Sequence, residues 1–96
     1  MKRDPVTGFE YPFYCVLAYV WNAKAEEYRC ESICNVQTYE EALEKVKRTA
    51  VDADTMQLEI VEERKDYCEA VAIKVAVEDE PSGFYLYDPR TDELIA

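Results

Sequence analysis

The groups in this chain that could do chemistry are four cysteines, at positions 15, 30, 34 and 68, and 21 carboxylates; there is no histidine. Cys30 and Cys34 have a spacing that invites a metal. On a strand, however, they would sit about 13 Å apart along one face at about 3.3 Å per residue, too far to chelate one ion. A three-thiolate set would require Cys68 to converge with Cys15 and Cys34 from another strand. A nucleophilic cysteine or serine needs an adjacent base, and the only serines are Ser32 and Ser82. Two glycines, Gly8 and Gly83, cannot build a phosphate-cradling loop. The expectation is a protein with no catalytic residue, no metal, no cofactor and no enzymatic activity.

The carboxylates carry the sharper reading. They exceed the 11 bases to leave a net charge of −10. The surplus is unevenly placed: residues 1–37 hold five acids and four bases, residues 38–66 nine and five, and residues 67–96 seven and two. Three clusters stand out: Glu40, Glu41 and Glu44; Glu62, Glu63 and Asp66; and Glu78, Asp79 and Glu80. Direct binding of nucleic acid or of an anionic membrane is disfavoured, because both need a basic footprint. A basic protein surface is the complement. If the clusters converge, their charges mimic a phosphate backbone, and the concrete form of the function is an inhibitor occupying the cationic cleft of a nuclease or other nucleic-acid-binding protein. Anti-CRISPR and anti-restriction proteins act in this way; the comparison rests on size and charge alone.

The elements that must position these groups are organised around Tyr11–Trp21, eleven residues without a charge. That is about half of the roughly 20 that a membrane-spanning helix needs. At a two-residue period Phe13, Cys15, Leu17, Tyr19 and Trp21 share one face, and Tyr14, Val16, Ala18 and Val20 the other. Both faces are apolar, which predicts an interior strand of a sheet. The polar segment 22–27 then turns into a second strand, Tyr28 to Val36. With Trp21 opposite Tyr28, the register sets Tyr19 against Cys30, Leu17 against Ser32, Cys15 against Cys34 and Val16 against Ile33. A Cys15–Cys34 cross-strand disulfide is then within geometric reach under oxidation, although small buried hydrophobes are the expected roles of all four cysteines.

Thr38-Tyr39-Glu40-Glu41 has the form of a capping box and opens a helix. Its stripe is Tyr39, Ala42, Leu43, Val46, Ala50 and Ala53, with Lys45, Lys47 and Arg48 in the later turns. A length of about 15 residues gives roughly 23 Å at the 1.5 Å rise. Strands follow at 55–61, 67–77 and 84–87. Asp4-Pro5-Val6-Thr7-Gly8 and Asp88-Pro89-Arg90-Thr91-Asp92 read as matching hairpin turns near the two ends, each flanked by a short strand. The order β-β-α-β-β-β predicts an α+β two-layer sandwich, an antiparallel sheet with one helix on one face. Eight tyrosines, three phenylalanines and one tryptophan in 96 residues support a packed single domain spanning 1–96. The large side chains of Leu17, Tyr19, Leu58, Ile73 and Val75 are expected beneath the helix. Val16, Val20, Ile33 and the Ala70-Ala72-Ala76 column are expected on the uncovered face, which supports the alternative function of a self-associating accessory subunit, a homodimer through that face. Met1–Pro5 opens no secretory signal, so a cytoplasmic location is expected.

Overall fold

The computed structural model describes residues 3–51, 55–77 and 83–96. Six strands form one antiparallel sheet: β1 (Phe13–Asn22), β2 (Glu27–Val36), β3 (Thr55–Glu63), β4 (Cys68–Ala76), β5 (Phe84–Asp88) and β6 (Glu93–Leu94), in spatial order β2-β1-β3-β4-β5-β6. The one helix among the described residues, α1 (Tyr39–Arg48), lies across one face. This is the expected α+β sandwich, with β6 the short strand anticipated after the second Asp-Pro turn. The uncharged run becomes β1, bonded to β2 on one side and β3 on the other. Among the described residues no helix is long and apolar enough to cross a membrane.

The helix packs on the face opposite to the one expected. Val16, Ala18, Leu58, Ile60, Ala72 and Leu86 of the sheet meet Ala42 and Val46 of α1, with Tyr14, Val20, Cys34 and Val36 packed around them. Leu17, Tyr19, Ile73 and Val75 point the other way. Val16 is fully buried and Val20 packs against the core, so neither is available as a dimer face; of the proposed trio only Ile33 reaches the surface. The reason is steric: Ala18, Ala42 and Ala72 let the helix approach the sheet closely, whereas the large aromatic residues of the other face would hold it away.

Bulges account for the rest of the difference. From Trp21–Tyr28 to Leu17–Ser32 the β1–β2 register is the expected one. Ile33 is then an extra residue, so that Val16 opposes Cys34 and Cys15 opposes Asn35. Cys15 and Cys34 therefore face opposite sides of the sheet, and the disulfide drawn from the unbroken register is ruled out geometrically; all four cysteines are free thiols. Met56 and Val71 are extra residues in the same sense at the β1–β3 and β3–β4 pairings. Each one resets the alternation beyond it, which is how Val71 and Ala72, neighbours in the chain, are both buried.

Both ends of α1 are set by identifiable groups. Thr38 Oγ1 accepts from the Glu41 amide at 3.2 Å and donates to the Glu41 carboxylate at 3.0 Å, satisfying an orphan amide of the first turn. The helix has 10 residues rather than about 15, because Thr49 is extended and its hydroxyl donates to Lys45 O at 2.7 Å. Ala50 is accordingly exposed, and Val51 enters the core in its place. Beneath this end lies Lys74 of β4, only 3% exposed. Its ammonium donates to Thr49 O at 2.7 Å, Val46 O at 3.0 Å and Lys47 O at 3.4 Å, and sits 4.4 Å from the centroid of the Phe84 ring. Burial lowers the Lys74 pKa from the ordinary lysine value; the carbonyls at the negative end of the helix dipole and the aromatic face favour the charged form.

The two Asp-Pro turns are built alike. The Gly8 and Asp92 amides each donate to the backbone oxygen of the Asp four residues earlier, at 2.8 Å. Asp4 Oδ2 accepts from the Thr7 amide and Asp88 Oδ1 from the Arg90 amide. The fifth residue is left-handed in both, with φ 79° at Gly8 and 60° at Asp92, a conformation open to Gly and tolerated by Asp.

Two substitutions test the helix ends. Thr38→Ala should cost about 1 kcal/mol, since it removes the acceptor for the Glu41 amide. Lys74→Met, which keeps length but deletes the donor, should cost about 1–3 kcal/mol by leaving buried carbonyls unsatisfied. Urea unfolding curves measure both, and an unchanged midpoint would contradict the corresponding contact.

Candidate functional site

The carboxylates expected to form the binding surface are not all placed alike. Glu40, Glu41 and Glu44 lie exposed on α1; Glu41 is engaged with Thr38, and Glu44 pairs with Arg48 one turn later at 3.7 Å. Glu62 and Glu63 are neighbours on β3 and so face opposite sides of the sheet. Glu62, on the helix side, accepts from the Tyr14 hydroxyl at 2.9 Å and from Arg64. Burial pushes its pKa up, but the Arg64 and Tyr14 hydrogen bonds outweigh that and hold it low. Glu63, on the other side, lies 3.9 Å from the Cys15 thiol. Asp66 is exposed in the β3–β4 turn. Glu78, Asp79 and Glu80 lie outside the described residues.

The structure brings the start of the helix and the β3–β4 turn to the same end of the sheet. Tyr14 links them, its hydroxyl on Glu62 and its ring edge-on to Tyr39 with centroids 5.8 Å apart. The charge of Glu40 reaches both phenols, whose pKa values are raised, chiefly by burial. Arg90 joins this end: it binds Asp88 through two nitrogens and approaches Glu69 at 3.8 Å, and these hydrogen bonds hold the Asp88 carboxyl low. The array is therefore a mixed network with Arg64 and Arg90 inside it, not a bare row of carboxylates. Neither arginine belongs to the acidic clusters of the sequence; Arg64 stands two residues from Glu62 at the end of β3, where strand alternation signals the pairing, whereas Arg90 lies in the turn after β5, where no such period applies.

The sheet face away from the helix carries residues that the acidic-cluster reading left out. At one end the N-terminal segment covers it: Phe9 and Tyr11 each pack on Phe13 with centroids 5.7 Å apart. Gln37 ties that segment down through Glu10 and Pro12. Beyond this cover the register lines up Leu17, Glu59, Ile73 and Tyr87 in one row and Tyr19, Gln57, Val75 and Tyr85 in the next. Trp21 and Tyr28 pack edge-on at 5.1 Å beside them. Tyr19 donates to Glu59 at 3.2 Å, and the charge of Glu59 is the main reason its phenol pKa is raised.

No group of three or more metal-binding side chains occurs among the described residues. A cleft of about 330 Å³ opens between the end of α1 and the start of β5, lined by Lys47, Arg48, Val51, Lys74 and Phe84. Its one buried cation, Lys74, is already committed to the helix carbonyls. The chain matches no protein family, no curated protein and no solved structure.

The thiols give a direct check of this geometry. Burial, reinforced by the charges of Glu63 and Asp4, pushes Cys15 up to about 11 from a usual 9.0. At pH 8 that leaves about 100-fold less thiolate than an ordinary cysteine would hold, and the thiolate is the reactive form. Maleimide labelling followed by peptide mass spectrometry should therefore modify the exposed Cys30 and Cys68 first and Cys15 last. Mild oxidation should yield no Cys15–Cys34 disulfide; rapid Cys15 labelling or that disulfide would contradict the placement of Cys15.

Proposed function

We propose that the protein is a non-enzymatic binding module that engages a basic protein surface, in its most concrete form an inhibitor that occupies the cationic cleft of a nucleic-acid-binding protein. The observation that carries this reading is where the cations go. All five arginines lie in ion pairs with carboxylates of the chain itself, and Lys74 is buried on the helix carbonyls. Glu31, Glu40, Asp66 and Glu93 are exposed and make no ion pair with any described residue. These four described acids are presented outward, and a macromolecular partner that neutralises them must bring its own positive charge.

Exposed pairs are worth only about 0–1 kcal/mol each, so recognition is cumulative and acts mainly on the association rate. A partner retrieved from native lysate at low salt should be released as salt is raised. Against that partner, the triple variant Glu40→Lys, Glu44→Lys and Asp66→Lys should bind at least tenfold more weakly while still unfolding in one cooperative transition, its midpoint lowered only by the small cost of the lost Glu44–Arg48 pair and of a cation in the first turn of α1. These three are chosen because Glu41 also caps the helix and Glu62 is bonded inward. A partner indifferent to both salt and charge reversal would end this reading.

A further inference from the structure

The open face of the sheet has a composition that selects its occupant. Its uncovered centre includes Leu17, Tyr19, Gln57, Ile73, Val75 and Tyr85 around one carboxylate, Glu59. Tyr85 is 52% exposed. No lysine or arginine is among the described residues that the register places on this face, whereas the helix face holds Lys74 and Arg29. Among the described residues α1 lies on the other side, and the N-terminal segment covers the Phe13 end alone.

A second copy of the chain is a poor occupant. A symmetric face-to-face contact would bring Glu59 and its counterpart into an apolar layer with no cation to accompany them, and burying unpaired carboxylates is costly. An anionic lipid surface meets the same objection. An arginine side chain meets every feature present: its guanidinium forms a bidentate pair with a carboxylate, stacks on tyrosine rings, and is weakly hydrated enough to enter a half-apolar site. We propose that this face docks an extended, arginine-bearing segment of a protein, with Glu59 pairing one guanidinium beside the Tyr19 ring and Tyr85, three strands along the same row and about 14 Å away, stacking a second arginine of the segment. The inference rests on the basic-partner reading above and adds to it a second surface and a preference for arginine over lysine. Charge attraction to the exposed acids alone would not distinguish the two cations.

The test uses fluorescein-labelled peptides of ten arginines and of ten lysines, titrated with the full chain at low salt and followed by fluorescence anisotropy. The arginine peptide is expected to bind at least fivefold more tightly. Glu59→Gln, which keeps an acceptor for the Tyr19 hydroxyl, and Tyr85→Ser, at an exposed position, should each weaken the arginine peptide at least threefold and bring the two affinities together. Thermal melts confirm folding of the variants. Amide chemical shifts of the unaltered protein, recorded with the arginine peptide, should move at Leu17, Tyr19, Ile73 and Val75, and this readout needs no variant. Equal binding of both peptides, with shifts confined to the first turn of the helix, would overturn the arginine face while leaving the basic-partner reading standing. Absence of salt-sensitive binding by either peptide would overturn both. A dimer that protects the amides of this face in the peptide-free protein would show that a second copy occupies it, and would overturn the proposal.

Discussion

A single ammonium group, that of Lys74, fixes where the helix of this protein ends and ties it to the face of the sheet on which small side chains leave room for it. Three carbonyls from the last turn of α1 and the residue after it converge on that group. Such a charge is tolerable under the helix only because its partners are there. Turning the sheet over would leave the ammonium without them. Extending the helix past Arg48 would carry the Thr49 carbonyl away and lift Val51 out of the core. The close contact through Ala18, Ala42 and Ala72 and the exposure of the tyrosine-rich face are both compatible with this one anchoring point.

Much of the fold can be read from local chemistry. Thr38 with Glu41 marks the start of the helix, the twin Asp-Pro turns mark the terminal hairpins, and the Trp21–Tyr28 pair sets the first half of the β1–β2 register. These signals act over a few residues and survive whatever the rest of the chain does. What cannot be read is the set of extra residues, Ile33, Met56 and Val71, because a bulge follows from the packing of a strand against two neighbours and leaves no mark in the residue types. The helix face is illegible for a related reason. Large apolar side chains suggest a need for cover, but a tyrosine on an open face retains water at its hydroxyl and shields its neighbours, whereas the short side chains of the other face leave room for a helix. Of the acidic positions, the exposure of Glu40 and Glu44 is legible in the helical stripe, and the neutralisation of Glu62 by Arg64 is legible in strand alternation.

The carboxylates on the two sheet faces share a further arrangement. Glu62 and Glu59, on opposite sides of β3, each accept from a tyrosine hydroxyl on β1, Tyr14 and Tyr19 respectively. A phenol donates a hydrogen bond without contributing charge, so it fixes the carboxylate in place and leaves its formal charge intact. Both phenols hold their protons more tightly than a solvated tyrosine does, so the donors persist throughout the neutral range. On the helix side Arg64 then cancels the charge of Glu62. On the open side no described cation cancels that of Glu59. The same strand therefore carries one carboxylate spent on the fold and one still available.

The position of β2 at the margin of the sheet has a consequence for the protein at high concentration. Its ten residues pair with β1 on one side only, and an unpaired strand of that length is a template on which like strands could add and grow into insoluble fibrils. The chain counters this with means visible in β2 itself. Glu27, Arg29 and Glu31 place charges along the margin, and the extra residue at Ile33 breaks the regular ladder that an incoming strand would have to match. The acidity that suits a cationic partner thus also guards the most vulnerable strand, and surface changes that neutralise Glu27 and Glu31 would erode shelf life and expression yield before they altered the fold.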